Sequence, residues 1–205
     1  MRLSLPDLAA LFRSTTPKVE PRGAGTRLAA VAAVLRNLES PEILLIKRAH
    51  HPHDPWSGHM AFPGGRHEPS DPDTVATALR ETREEVGIDL AASAAYLGAL
   101  DDVHALSRER RIDLVIVPHV FVLATDVVPV PAPEEVEAAM WVPLGPMFRG
   151  ETETALSYRH EGKDQRFPAW QVGEDVVWGL THRMLESFFG LLRLHDALRK
   201  TASSL

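Results

Sequence analysis

Glu81, Glu84 and Glu85 are the residues whose spacing most directly implies chemistry. On a helix, positions i, i+3 and i+4 are near neighbours, so these three carboxylates fall on one face. Negative groups that close repel one another unless positive charge sits among them. A hard cation with oxygen ligands answers that need. Arg80 and Arg83 stand where they can orient or partly neutralise the cluster. The competing reading is a solvated acidic helix face crossed by i,i+4 salt bridges, which is a common surface. The chain contains no cysteine. Disulfides, thiolate nucleophiles and thiolate metal sites are therefore excluded, leaving carboxylates, imidazoles, carbonyls and water as ligands.

Other residues invite chemistry less strongly. His50, His51, His53 and His59 crowd one loop, where imidazoles can bind zinc, although a polar loop is the plainer reading. His104 follows a strand and reads first as a surface residue. Glu134, Glu135 and Glu137 form a second acidic run, which by itself reads as a charged loop. Phe148, Trp170 and Trp178 can stack on a base, but aromatics more often fill a core.

Elements must bring these groups together. The pattern predicts a helix from about Thr74 to Val86, stopped at Gly87, with Val75, Leu79, Thr82 and Val86 on its packing face. Strands are expected at Leu28–Leu35, Ile43–Lys47, Ala95–Leu100, Ile112–Leu123 and Ala139–Val142, with short ones near Ala155–Tyr158 and Phe167–Gln171. A short amphipathic helix is expected at Leu3–Phe12, and a last helix from about Asp175 to Leu194. Intermixed strands and helices give an α/β or α+β class. The division expected is a helix and Pro/Gly-rich linker over 1–25, one catalytic domain over 26–197, and a tail over 198–205.

A chain of 205 residues, 44% hydrophobic and 24% charged, suits one domain with a sizeable core. A formal net charge of −6 argues against a general nucleic-acid binder. No apolar stretch is long enough for a membrane span. The N-terminus lacks the continuous apolar core of a signal peptide, so a cytoplasmic address is expected. Ser203-Ser204-Leu205 echoes a peroxisomal signal without its basic middle residue and reads as a frayed tail.

Gly64-Gly65, a polar loop, and then Arg80-Glu81-Thr82-Arg83-Glu84-Glu85-Val86-Gly87-Ile88 together resemble the Nudix box. That pattern is Gly, five residues, Glu, seven residues, then Arg-Glu-apolar-x-Glu-Glu-x-Gly-apolar. Here Asp71 replaces the first Glu, eight residues separate it from Arg80, and Thr82 holds the apolar position. The resemblance spans roughly Leu28 to Leu194 and implies an α/β/α sandwich around a mixed sheet. It implies Mg²⁺, with Mn²⁺ an alternative, held by Glu81, Glu84, Glu85 and the Gly64 carbonyl. One of the glutamates would act as general base, and Arg80 would orient them. Arg48, Phe62 and Gly65 would lie at the substrate. The partner implied is a small nucleotide-like molecule; the oligomeric state is left open, a homodimer being one option.

The flanks are similar to the coenzyme A diphosphatase branch, from Leu44-Leu45-Ile46-Lys47-Arg48 through Phe62-Pro63-Gly64-Gly65 and the longer box to Val177-Trp178-Gly179-Leu180-Thr181. One position departs. The branch carries an Arg four residues before the Gly corresponding to Gly58, and here Asp54 stands there. Other substrates in the family's range are ADP-ribose, NADH, dinucleoside polyphosphates and nucleoside triphosphates. A catalytically silent nucleotide-binding module is the reading from another class.

Overall fold

Arg27–Arg36, the strand β1, shows why the centre of the molecule is a sheet. Ala29, Ala33 and Leu35 enter one hydrophobic cluster, while Ala30, Ala32 and Val34 enter another. A strand buried on both faces needs apolar residues at every position rather than alternation. β2 (Glu42–Arg48) follows after a turn and pairs antiparallel with β1. β3 (Met60–Ala61) and β4 (Gly64–Arg66) are short edges on β2 and β1.

The computed structural model describes residues 1–52, 56–107, 112–160 and 163–202. His53 and Asp54, singled out above, and the tail from Ser203 to Leu205 lie outside the described residues. The helix α1 (Leu5–Ser14) buries Leu8, Leu11 and Phe12. After β4 come α2 (Thr74–Val86), α3 (Leu90–Ser93), β5 (Ala94–Ala99), β6 (Val103–Ser107), β7 (Ile112–Leu123), β8 (Val136–Pro143) and α4 (Leu144–Phe148). β7 runs parallel to β1, and the other pairings are antiparallel, so the sheet is mixed. A second sheet is formed by β9 (Glu153–His160), β10 (Lys163–Val172) and β11 (Asp175–Trp178). The helix α5 (Gly179–Ala202) ends the described chain.

The core lies in two layers. One cluster sits between the sheet and α2, and holds Val34, Leu44, Ile46, Ala78, Val86 and Phe121. The other holds residues of α1, α5 and the second sheet against the opposite face. Helices thus cover both faces of the mixed sheet, the expected α/β/α arrangement. The segment after α1 is pinned rather than loose. The Lys18 amide donates to Asp101 at 2.8 Å and the Glu20 amide to Asp102 at 3.1 Å.

The short elements β3, β4, β6, α3 and α4 were not expected, and the last helix starts later than its expectation. Asp175–Trp178 is a strand, and the last helix begins only at Gly179. Val177 carried the right helical spacing. However, the turn at Gly173-Glu174 folds Asp175-Val176-Val177-Trp178 back onto β10, and β-branched residues suit that pairing.

Candidate active site

The box helix α2 is fixed at both ends. The Asp73 side chain caps its start, accepting from the Ala76 amide at 2.8 Å, and Gly87 (φ 68°) ends it in the left-handed region. Its buried residues are Thr77, Ala78, Thr82, Glu85 and Val86. The helix is therefore rotated relative to the expected packing face. Val75 and Leu79 are only half-buried, while Glu85 points inward at 2% exposure. Thr82 tolerates full burial because its hydroxyl donates to the Ala78 carbonyl at 2.7 Å.

Glu85 is held by the glycine pair. The Gly64 amide donates to its carboxylate at 2.8 Å, and Arg48 Nη1 lies 4.0 Å from its other oxygen. A Cβ at Gly64 (φ 152°) would collide with the backbone of Ala30 and Val31 in β1; one at Gly65 would collide with the Glu81 carboxylate. The two glycines let the chain pass between the sheet and the helix carboxylates. Burial pushes the Glu85 carboxyl up to about 8, against the opposing pull of the Gly64 amide and Arg48. Burial also raises Glu81, with Arg80 opposing it.

Arg80 is the organiser. It donates to Asp71 through Nε at 3.1 Å and Nη2 at 3.0 Å, and to the Arg66 carbonyl at 3.1 Å. Its Nη1 lies 2.9 Å from both Glu81 and Glu84. Asp71 is further held by the Thr77 hydroxyl at 2.9 Å and the Glu68 amide at 3.0 Å. The Arg80 guanidinium keeps this carboxyl far below its ordinary range. Asp71 thus meets Arg80 in spite of the longer spacing and shorter side chain at this position. Glu84, by contrast, is an exposed partner of Arg80.

The Pro-rich connection before β8 closes the site. Val130 and Ala132 donate their amides to the Val86 and Glu85 carbonyls at 2.8 Å each, satisfying the helix end. That seating carries Glu135 close enough to Glu81 and Glu85 to raise both by repulsion. Glu137 leaves the cluster and pairs with Lys47 at 3.1 Å.

The remaining candidates separate. Phe62, in the link between β3 and β4, is buried at 2% in the core cluster opposite α2. Among the described histidines of the loop, His51 meets the Glu134 carbonyl at 3.0 Å and the His59 ring packs on Trp178. His104 lies in β6 and contacts Asp113 at 2.7 Å. Trp170 is core and stacks on His182, and Phe148 packs edge-on against Phe189. Trp178 stays half-buried.

A profile of the Nudix domain matches residues 26–161. The chain belongs to the Nudix family. It is 31% identical over 179 residues to an uncharacterized Nudix hydrolase, NudL, of an Enterobacter species, covering 87% of this chain and 90% of that one. It is 35% identical over 166 residues to an uncharacterized protein of Schizosaccharomyces pombe; the match covers 71% of this chain and spans only half the length of that relative. The fold matches a MutT/nudix family protein from Enterococcus faecalis (TM-score 0.55, 19% identity, 93% of this chain and 70% of that one). It also matches an Ap4A hydrolase of C. elegans (TM-score 0.51, 19% identity, 60% and 85%). As a Nudix hydrolase the protein acts on pyrophosphate bonds in nucleoside diphosphate derivatives.

Nudix hydrolases generally use divalent cations such as Mg²⁺. Among the described residues, no three acidic or imidazole groups converge as a preassembled metal centre, because Arg80 draws Glu84 and part of Glu81 to itself. The donor set nevertheless suits a hard cation. Glu85 is a buried carboxyl beside two further acids, Glu81 and Glu135, and its raised affinity for a proton marks a place where positive charge is wanted.

Proposed function

We propose that the protein is a Mg²⁺-dependent diphosphatase of coenzyme A or acyl-coenzyme A. It releases 3′,5′-ADP and the (acyl-)4′-phosphopantetheine, with Mn²⁺ able to replace Mg²⁺. The observation that carries the coenzyme A reading is spatial. The C-terminal run resembling that branch sits against the strand leading into the box: Thr181 donates to the Met60 carbonyl at 3.0 Å, and Asp175 pairs with Lys47 at 3.1 Å. Segments 121 residues apart thus meet at β3, which supports reading them as parts of one binding region.

Glu81, Glu85 and the Gly64 carbonyl would hold the cation, with Glu84 and Glu135 as further carboxylates. A cation held there would supply charge neutralisation for the diphosphate and activation of water. Water adds to one phosphorus, the bridging P–O bond breaks, and the leaving phosphate keeps the bridging oxygen. The proton from water passes to a carboxylate of this cluster. Arg80 keeps Glu81 and Glu84 aligned, and Arg48 faces the anionic substrate. A silent binding module would have little need of such a clasp.

Side-by-side kinetics on coenzyme A, dephospho-coenzyme A, ADP-ribose and NADH test the reading. Coenzyme A is expected to have the highest kcat/KM, and Asp54→Arg to increase its relative rate by attracting the 3′-phosphate. Negligible cleavage of both coenzyme A forms, with efficient cleavage of either other compound, would overturn the substrate and leave the family assignment standing.

A further inference from the structure

Trp178 pairs with Ala169 across β10 and β11, so it shares a sheet face with Phe167. The opposite face carries Trp170 and Val177 into the core. Trp178 is left half-buried between the Phe167 ring (centroids 5.7 Å apart) and the His59 ring (4.8 Å). The ledge is tied to the strand that approaches the box. The His59 carbonyl accepts the Arg48 amide at 3.1 Å, and the Arg48 side chain reaches to 4.0 Å from Glu85. One backbone pairing therefore links the residue that carries one of the rings to the residue whose side chain approaches the buried carboxylate.

The ledge is also held rigidly. Asp175 is tied to Lys47 and Thr181 to Met60, so the segment bearing Trp178 is anchored to β2 and β3 on both sides. Locked aromatic rings beside a phosphate-handling centre suit a flat, polarizable group joined to a diphosphate. We propose that Trp178, supported by His59 and Phe167, is the surface on which the purine base of the substrate stacks. The proposal rests on the diphosphatase reading and adds the recognition of its nucleoside end.

The test compares inhibition by ADP with inhibition by ribose 5-diphosphate, which has no base, in wild type, Trp178→Ala, Trp178→Phe and His59→Ala. Stacking on an aromatic ring has a strength that predicts a rise of about 10-fold in the ADP inhibition constant for Trp178→Ala. Trp178→Phe should restore most of it, and ribose 5-diphosphate should be unaffected. ADP should also quench tryptophan emission in wild type, and the Phe variant should lose that quench. Binding measured by fluorescence needs no turnover, so inactivity of wild type on every diphosphate would sink the diphosphatase reading separately. Equal weakening of both ligands, or of neither, would overturn the stacking role. So would a raised KM for coenzyme A with ADP binding unchanged, since that would place the pantetheine arm on the ledge. His59→Ala should weaken ADP in the same selective way, which keeps the proposal open to failure if Trp178→Ala does not fold.

Discussion

Asp71 and Glu85 illustrate opposite solutions to burying a carboxylate. Asp71 is neutralised by a two-point contact with Arg80 and by two further donors. Glu85 has one amide donor and a guanidinium at the limit of ion pairing, and burial dominates it. The first arrangement fixes Arg80 against an ionised acid, and the second leaves a carboxyl whose charged form burial disfavours. Asp71→Asn should therefore strip Arg80 of its main partner, cost roughly 3 kcal/mol or less of stability, and lower kcat by misaligning Glu81 and Glu84. Urea unfolding and steady-state kinetics would check this; unchanged stability and kcat would remove Asp71 from the clasp. The acidic triad itself was legible from spacing, because 3.6 residues per turn fixes relative directions. Which member turns inward was not. Spacing gives angles between residues and says nothing of the helix's absolute rotation, which Ala78, Thr82 and Val86 set by packing.

The box helix depends on that rotation. Ile88, just past its end, is 1% exposed, whereas Leu79 is half-buried. Ile88→Ala should cost roughly 2–5 kcal/mol and Leu79→Ala less. A denaturation series with the order reversed would mean the helix is turned the other way. The helix also rests on a buried imidazole. His119 of β7 contacts the Thr74 hydroxyl and the Tyr96 hydroxyl, each at 3.0 Å. Burial holds its pKa down to about 4 from 6.5, despite Asp73 nearby. The neutral form belongs to the fold and the unfolded chain protonates first. This contribution is complete above about pH 6.5 and is lost as pH falls towards 4, at most roughly 3 kcal/mol. In the metal-free protein Glu85 acts in the opposite sense, so the difference between wild type and His119→Gln isolates the histidine. That difference should vary with pH between about 4 and 6.5; a flat difference would contradict the burial argument. The longer strands and the box helix were readable because their apolar patterns are plain, whereas β3, β4 and β6, two to five residues each, carry too short a pattern. The start of α5 was not, since Val177 fits both a helix stripe and a strand, and only pairing with β10 decides.

At the scale of the molecule, a chain of net charge −6 concentrates acid where it handles a more acidic substrate. That works only if a cation enters with the substrate or before it. Among the described residues no helix is long and apolar enough to cross a membrane. The whole sandwich was readable through the box and its flanks, but the second sheet's contribution was hidden. β11 meets β2 and the segment before β3 through Lys47–Asp175 and His59–Trp178, contacts between distant segments that no local pattern announces. The most direct measurement is Mg²⁺-dependent hydrolysis of coenzyme A by wild type and Glu85→Gln, with products identified by mass. Wild type should yield 3′,5′-ADP and 4′-phosphopantetheine, stop on chelation, and recover with Mg²⁺. Glu85→Gln should be folded and slower by roughly 10²–10⁴-fold, the scale of losing a group that assists proton transfer or charge stabilisation. A folded Glu85→Gln protein with wild-type Mg²⁺-dependent turnover would contradict the account.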